Sequence, residues 1–501
     1  MPEERGGPHR KSAATYPREM VLLQLDANAK APLYRQIYEQ IKTEILSGAM
    51  PEGMRLVSTR TLARDLQAGR NTVENAYAQL VLEGYVAAVP GSGYVVRAMQ
   101  HELHPELSGL HEAPFSQPVR KKPRKPRQPY NFDYGTLGAW AFPYKTWRLL
   151  TTTVLTEAEE VHQRSPALHS RDELQGDREL RQELVKHLYR RRGVNCSIDQ
   201  VVICNGLQPA LTTLIRVLPY ESKTVALENP GYKRARVVFQ GNWFTICPIP
   251  VLHDGIDIAA LNASSASLVF VTPSRQYPTG MVMPIQKRME LLQWANDRGG
   301  LIIEDDYDSE FRYKGKPIPS LQSIDRHGRV VYIGSFSKVL SPGLRMGYMV
   351  LPEWLLEAYR EAFAGYKCSV SWLEQKTLAR FMVEGHLEKH IRKMCLVNKK
   401  KHDVLIDAIT GAFGDKVRIH GQNAGLHVLL EFPDGRPEAE LVGRAAEHGV
   451  KVYPGSTMWL EGTENTSTTI LLGYGTLPDE RIPEAIELLG QAWFGEPGCY
   501  P

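Results

Sequence analysis

At roughly 150 residues per folded unit, a chain of 501 residues has room for about three. Apolar residues make up 43% of it and charged residues 23%, a globular balance that supplies a sizeable core and excludes a disordered or fibrous chain. Sixty basic against 56 acidic residues leave a formal charge of +4, which neither demands nor forbids a nucleic-acid partner.

No uninterrupted apolar run approaches the ~18 residues that a membrane helix needs, so no membrane partner is expected. The start, Met1-Pro2-Glu3-Glu4-Arg5, carries no apolar stretch of the secretory kind. The six cysteines show no CxxC pairing and read as reduced thiols, which points to the cytoplasm.

From Pro32 onward, Leu33, Ile37, Ile41 and Ile45 recur every four residues, the stripe of an amphipathic helix that Ser47-Gly48 ends. A short second helix fits Thr59 to Leu66, with Ser58 as its cap. After the turn Gln67-Ala68-Gly69, a third helix spans about Arg70 to Glu83, with Val73, Tyr77 and Leu80 facing inward. Val86–Val89 and Tyr94–Val96 flank Pro90-Gly91-Ser92-Gly93 and read as a β-hairpin. This order outlines a winged helix-turn-helix. Its third helix enters a major groove, bringing Arg70, Asn71 and Thr72 to bases and phosphates, with Arg60 and Arg64 on the preceding helix. Gly91 and Gly93 let the wing approach phosphates, though any tight hairpin suits them too. The alternative for all of these is a solvated polar face.

Pro32-Leu33-Tyr34, Ser58-Thr59-Arg60-Thr61-Leu62-Ala63 and Arg70-Asn71-Thr72-Val73 resemble the GntR-type winged helix over roughly residues 30 to 98. Val57 and Gly69 depart from that family's usual proline and serine, a change a helix cap tolerates. The expected boundaries are a DNA-binding domain over 20–98, a linker over 99–129 and an effector domain over 130–500. Residues 1 to 130 carry 18 basic and 13 acidic residues, against 42 and 43 beyond. Six of the basic ones lie in Arg120-Lys121-Lys122-Pro123-Arg124-Lys125-Pro126-Arg127, a solvated, extended spacer that can also touch phosphates.

Beyond the linker, 200–203, 224–227, 268–271, 301–303 and 330–333 are apolar on both faces and alternate with helices, the pattern of a covered parallel sheet. Ligands bind past the C-terminal ends of such strands. There stand Lys338, a candidate Schiff-base amine, with Ser335, Ser337 and Arg345 suited to a phosphate. Asp305 is a carboxylate able to hold a pyridine nitrogen protonated. Asn205-Gly206-Leu207 opens a helix whose amides suit an anion. Each alone is also a common surface lysine, turn acid or turn glycine.

Together they resemble, in order, the fold-type I aminotransferases over about residues 130 to 500, an α/β domain with a smaller C-terminal α+β subdomain. The resemblance implies pyridoxal phosphate bound through Lys338, with Asp305 on the ring nitrogen, Tyr307 on the phenolic oxygen and Tyr232 stacked on the ring. It puts the phosphate on Ser335, Ser337, Arg345 and the backbone of Gly206 and Leu207, and offers Arg234 as an effector contact.

A GntR-type winged helix joined to this domain resembles the MocR/GabR transcription regulators. That resemblance implies promoter DNA as partner, an amine or amino-acid effector, and a domain-swapped homodimer. Three departures stand out. Leu207 removes a hydroxyl, Tyr277 replaces an asparagine, and Leu471 stands where an arginine clamps an α-carboxylate. The effector is then not an ordinary α-amino acid, or Arg234 or another cation supplies the clamp, or pyridoxal phosphate alone is the signal, as in vitamin B6 (PdxR-like) regulators. Transamination is expected to be weak at most. The competing readings are an aminotransferase with a vestigial DNA-binding domain, and a repressor whose large domain only dimerises.

Overall fold

The computed structural model describes residues 23–26, 29, 31–91, 93–98, 129–135, 137–164, 174–219, 223–313, 318–460 and 468–495. The chain divides into two units at Lys125/Pro126. The basic spacer expected over 99–129 lies, apart from Pro129, outside the described residues.

In the first unit, α1 (Leu33–Leu46), α2 (Thr59–Asp65) and α3 (Arg70–Leu82) precede a hairpin of β1 (Val86–Val89) and β2 (Gly93–Val96). The four-residue stripe closes this small core: Ile37, Ile41 and Ile45 of α1 meet Val73, Tyr77 and Leu80 of α3, with Val86 and Val96 of the hairpin beneath. Each such side chain contributes roughly 1.5–3 kcal/mol on burial. Ser58 caps α2 by accepting the Thr61 N–H at 3.2 Å. The buried Tyr77 hydroxyl donates to the Val57 carbonyl at 2.8 Å, tying α3 to the segment before α2. Gly69 caps α3 with its carbonyl only, which accepts the Thr72 N–H at 3.0 Å.

In the second unit, β3 (Tyr130–Asn131) precedes α4 (Tyr144–Arg164) and α5 (Arg178–Arg192). Then come β4 (Val201–Cys204), α6 (Leu207–Val217), β5 (Thr224–Asn229), α7 (Lys233–Gly241), β6 (Thr245–Leu252), β7 (Gly255–Ile256) and α8 (Ile258–Ala263). β8 (Leu268–Val271), α9 (Ile285–Arg298), β9 (Leu301–Asp306), β10 (Val330–Ser335) and β11 (Gly347–Val350) complete the sheet, in the order β4-β11-β10-β9-β8-β5-β6-β7. β10, β9, β8, β5 and β6 run parallel. The strands read from the sequence are all present; β6, β7 and β11 were not anticipated, and β11 runs antiparallel to both β4 and β10. The doubly apolar runs are explained by cores on both sheet faces.

β9 runs farther than its apolar residues suggest, so Asp305 lies within the strand rather than beyond it. Its polar neighbours find partners that let the ladder continue. Glu304 accepts the Leu321 and Gln322 N–H groups at 2.8 and 2.9 Å. Asp306 accepts from Arg192 at 2.6 Å and from the Tyr332 hydroxyl at 2.5 Å.

A smaller α+β part follows α10 (Glu353–Ala362), α11 (Trp372–Val383) and α12 (His386–Phe413). It contains β12 (Arg418–His420), β13 (His427–Phe432), α13 (Glu438–Glu447), β14 (Val450–Lys451), β15 (Tyr453–Pro454), β16 (Thr468–Gly473) and α14 (Ile482–Phe494). Its antiparallel sheet has the order β12-β13-β16-β15, while β14 pairs with β3.

Candidate functional site

The C-terminal ends of β9 and β10 hold the centre of the site. Lys338, three residues past β10, is partly buried. Its Nζ donates to the Tyr134 carbonyl at 2.6 Å and lies 3.7 Å from the centroid of the Tyr134 ring. Burial pushes the amine down to about 8, against the opposing pull of Asp308 and Asp133 and with help from the charges of Arg234 and Arg275. A lysine so placed holds a substantial unprotonated fraction near neutral pH, as a carbonyl-capturing amine requires.

Asp305 pairs in register with Ile333 of β10. It is buried, and among the described residues its carboxyl has no hydrogen-bond or ion-pair partner. Burial, then the neighbouring Asp306, Asp308, Glu228 and Glu304, hold it well above the usual carboxylate range. A protonated ring nitrogen would relieve that cost.

A small cradle lies at the start of α6. Gly206 sits at φ +91°, a conformation side chains rarely adopt, and a Cβ there would lie 3.3 Å from Arg345 Nη2. Gly347 brings β11 equally close: its Cβ would lie 2.9 Å from the Gly334 carbonyl and 3.1 Å from Gly206 Cα. The Arg345 guanidinium donates to the Asn205 carbonyl at 2.8 Å, and Ser335 Oγ accepts the Ser337 N–H at 3.4 Å. Gly206, Ser335, Ser337 and Arg345 therefore cluster beside the first, unpaired amides of an 11-residue helix, a fit to a phosphate. Leu207 turns its side chain to the core of α6 and the sheet and offers the cradle only its backbone. The absence of side chains at Gly206 and Gly347, the partnerless Asp305 and the depressed Lys338 all suit pyridoxal phosphate.

Tyr232 caps α7, and its hydroxyl feels Arg234, Asp305 and Arg345, so it borders the same space. Its ring meets Tyr277 edge-on with centroids 5.4 Å apart. Tyr307 follows β9, 6.1 Å from Tyr277 and 6.3 Å from Tyr134 between centroids. Arg234 is exposed at the start of α7.

Three neighbours were not found in the sequence. Tyr134 is brought in because the Phe132 N–H donates to the Lys451 carbonyl at 3.0 Å while the Phe132 carbonyl accepts the Gly473 N–H at 2.9 Å. Arg275 is buried and donates to Asp308 at 3.0 Å, to His427 Nδ1 at 3.0 Å and to the His427 carbonyl at 2.8 Å. Burial holds His427 well below its ordinary value, with the Arg275 charge adding to it, so the ring is neutral; Nδ1 accepts, and Nε2–H donates to the Pro278 carbonyl at 2.9 Å. Burial raises Asp308 to about 6 although Arg275 pulls the other way. The signal available was Arg275 itself, a cation inside a Pro- and Gly-rich turn; Tyr134 and His427 offered none.

Leu471 is buried on β16 opposite Leu429, and the two pack with Met458 against Tyr134, Tyr277 and Tyr453. The place expected for a carboxylate clamp is apolar.

In the first unit, Arg60, Arg64, Arg70 and Asn71 are exposed and Thr72 is half-buried around the start of α3. Arg70 pairs with Glu74 at 2.7 Å and Arg64 with Asp65 at 3.4 Å, exposed contacts worth little in water. Gly91 and Gly93 flank the hairpin turn at φ +75° and +79°, so the turn alone accounts for them.

The description "Bacterial regulatory proteins, gntR family" matches residues 33–96, and "Aminotransferase class I and II" matches residues 137–486. The HTH-type transcriptional regulator YdeL of Bacillus subtilis is 37% identical, covering 94% of this chain and 98% of its own. The probable rhizopine catabolism regulatory protein MocR of Rhizobium meliloti is 32% identical over 94% of this chain and 96% of its own. Among solved structures, the α-aminoadipate aminotransferase LysN of Thermus thermophilus, complexed with N-(5'-phosphopyridoxyl)-L-leucine, is 28% identical with a TM-score of 0.62, covering 73% of this chain and 92% of that one.

Proposed function

Because this chain belongs to the MocR-type HTH transcription regulators, a GntR-type DNA-binding module joined to an aminotransferase-like domain that takes pyridoxal phosphate, we propose that Lys338 holds the cofactor and that its occupancy sets the affinity of the first unit for promoter DNA. The observation that carries this reading is the lysine of depressed basicity past the end of β10, together with a buried Asp305 on the neighbouring β9 whose carboxyl has no partner among the described residues.

When bound, pyridoxal phosphate supplies an aldehyde that captures amines and a ring that withdraws electrons. Lys338 Nζ is the amine that anchors it, and the Tyr134 carbonyl orients that nitrogen. Asp305 keeps a proton on the ring nitrogen. Gly206, Leu207, Ser335, Ser337 and Arg345 would hold the phosphate, Tyr232 would stack on the ring, and Tyr307 would contact its phenolic oxygen. Arg234 faces an effector from the start of α7. In the first unit, Arg70, Asn71 and Thr72 meet the major groove, Arg60 and Arg64 the backbone, and the Gly91–Gly93 wing an adjacent phosphate. Leu149 and Leu155 of α4 are 65% and 50% exposed, which supports a homodimer that buries them. No described helix is long and apolar enough to cross a membrane, and no disulfide links the described cysteines, which supports a reducing compartment such as the cytoplasm.

Borohydride reduction followed by peptide mass spectrometry tests the assignment. The expected result is a pyridoxyl adduct on Lys338; an adduct on another lysine, or none, overturns it.

A further inference from the structure

The surroundings of Lys338 are unequal in polarity. Its Nζ rests on the Tyr134 ring. The same ring packs, with Tyr277, against the buried cluster of Leu429, Met458 and Leu471. A group attached to a nitrogen held near Lys338 on that side meets hydrocarbon and aromatic faces. Two cations influence the amine, Arg234 and Arg275. Arg275 is committed to Asp308 and to both the ring and the carbonyl of His427, and also reaches the Tyr307 hydroxyl at 3.5 Å. Arg234 stands near Tyr232, and its charge is felt by both Tyr232 and Tyr277. A carboxylate against Leu471 would lose its water and gain no cation from that side chain, a costly exchange, whereas an apolar substituent gains by burial.

We propose that the ligand exchanged at Lys338 is a primary amine whose carbon next to nitrogen bears an apolar or aromatic substituent and no carboxylate, with Leu471 as the residue that sets this preference. The inference rests on the cofactor assignment above. In the exchange, the C=N bond from the cofactor's aldehyde carbon to Lys338 breaks as one to the incoming nitrogen forms. Lys338 takes up the hydrogens the incoming amine gives up, and nothing is oxidised or reduced.

The test titrates the full-length, cofactor-loaded protein with two matched pairs, 2-phenylethylamine against L-phenylalanine and 3-methylbutylamine against L-leucine, following the cofactor's absorption band. Each amine is expected to half-saturate the change at a concentration lower than its amino acid by on the order of tenfold or more. In Leu471→Arg, which offers a carboxylate a bidentate partner, the order reverses. Equal or tighter response to the amino acids in the unsubstituted protein overturns the proposal, and so does a coloured protein that responds to neither class. A protein with no cofactor band after loading sinks the cofactor assignment itself, and the selectivity with it. The wild-type comparison stands alone if Leu471→Arg does not fold.

Discussion

Arg70 and Asn71 stand in solvent at the start of a helix, steadied by one exposed ion pair, whereas Asp305 and Lys338 lie at the end of a sheet where burial, joined by neighbouring charges, moves their proton affinities. On the proposed function, the difference follows from what each ligand would be. A DNA backbone is a large, hydrated polyanion met by long, mobile cations, and the protein need only present them on a stiff helix. A small aldehyde must be captured by a neutral amine, and desolvation, aided by neighbouring cations, supplies one near neutral pH. The first unit therefore risks little stability for its function, while the second buries acids and bases whose cost is offset only by pairing or by the ligand.

The sharpest break of this contrast is Lys338→Ala. Complete loss of the reducible adduct is expected, with the thermal transition of the first unit unchanged; retention of the adduct would return Lys338 to the class of ordinary surface lysines. Next is Arg275→Ala, which leaves the Asp308 carboxylate and the His427 ring without their common donor. Breaking a buried pair costs about 3–5 kcal/mol, read as a lower denaturation midpoint of the second unit. A loss under about 1 kcal/mol would show that the pair carries no more than a surface bridge.

Arg70→Ala is expected to weaken promoter binding by about 1–3 kcal/mol while leaving the cofactor spectrum unaltered. Measured by fluorescence anisotropy, loss of both would contradict the separation of the two sites. The pH dependence of cofactor uptake sharpens the electrostatic side. With the Lys338 amine lowered to about 8, the neutral fraction is complete above that pH and falls as protons bind below it. The initial rate of loading should therefore rise about tenfold per unit below pH 8 and level off above it, rather than climbing towards 10 and beyond. The smallest effect is Ser58→Ala, which removes the α2 cap at a cost of ~1 kcal/mol in the first unit alone.

The first unit was legible because its logic is local. The four-residue stripe of α1, the Ser58 cap and the hairpin turn are each written in consecutive residues, and the structure adds ties between distant segments, such as the Tyr77–Val57 hydrogen bond and the pairing of Arg55 with Val95 of the hairpin. The sheet strands were legible by the same token, since strands covered on both faces need no alternation. β11 escaped because Gly347-Tyr348-Met349-Val350 follows β10 with only a single 3-10 turn, Pro342–Leu344, between, and nothing in so short a run distinguishes parallel from antiparallel. At the candidate site, Lys338, Asp305 and Arg345 stood out in the sequence because each follows or lies near the end of an apolar run that reads as a strand. Tyr134, Arg275 and His427 were not, because their meeting depends on the chain before α4 and the smaller sheet closing on the large one, 150 to 300 residues apart in sequence. Leu471 was readable as a departure, but its apolar company of Leu429, Met458 and Tyr134 is a tertiary fact.

The most direct test of a regulator built on these two sites is the affinity of full-length protein for its own upstream DNA, measured with and without pyridoxal phosphate at one salt concentration. Occupancy of Lys338 is expected to change the dissociation constant by about 5-fold or more, and Lys338→Ala to abolish that change. Identical affinities in the loaded and cofactor-free protein would contradict it.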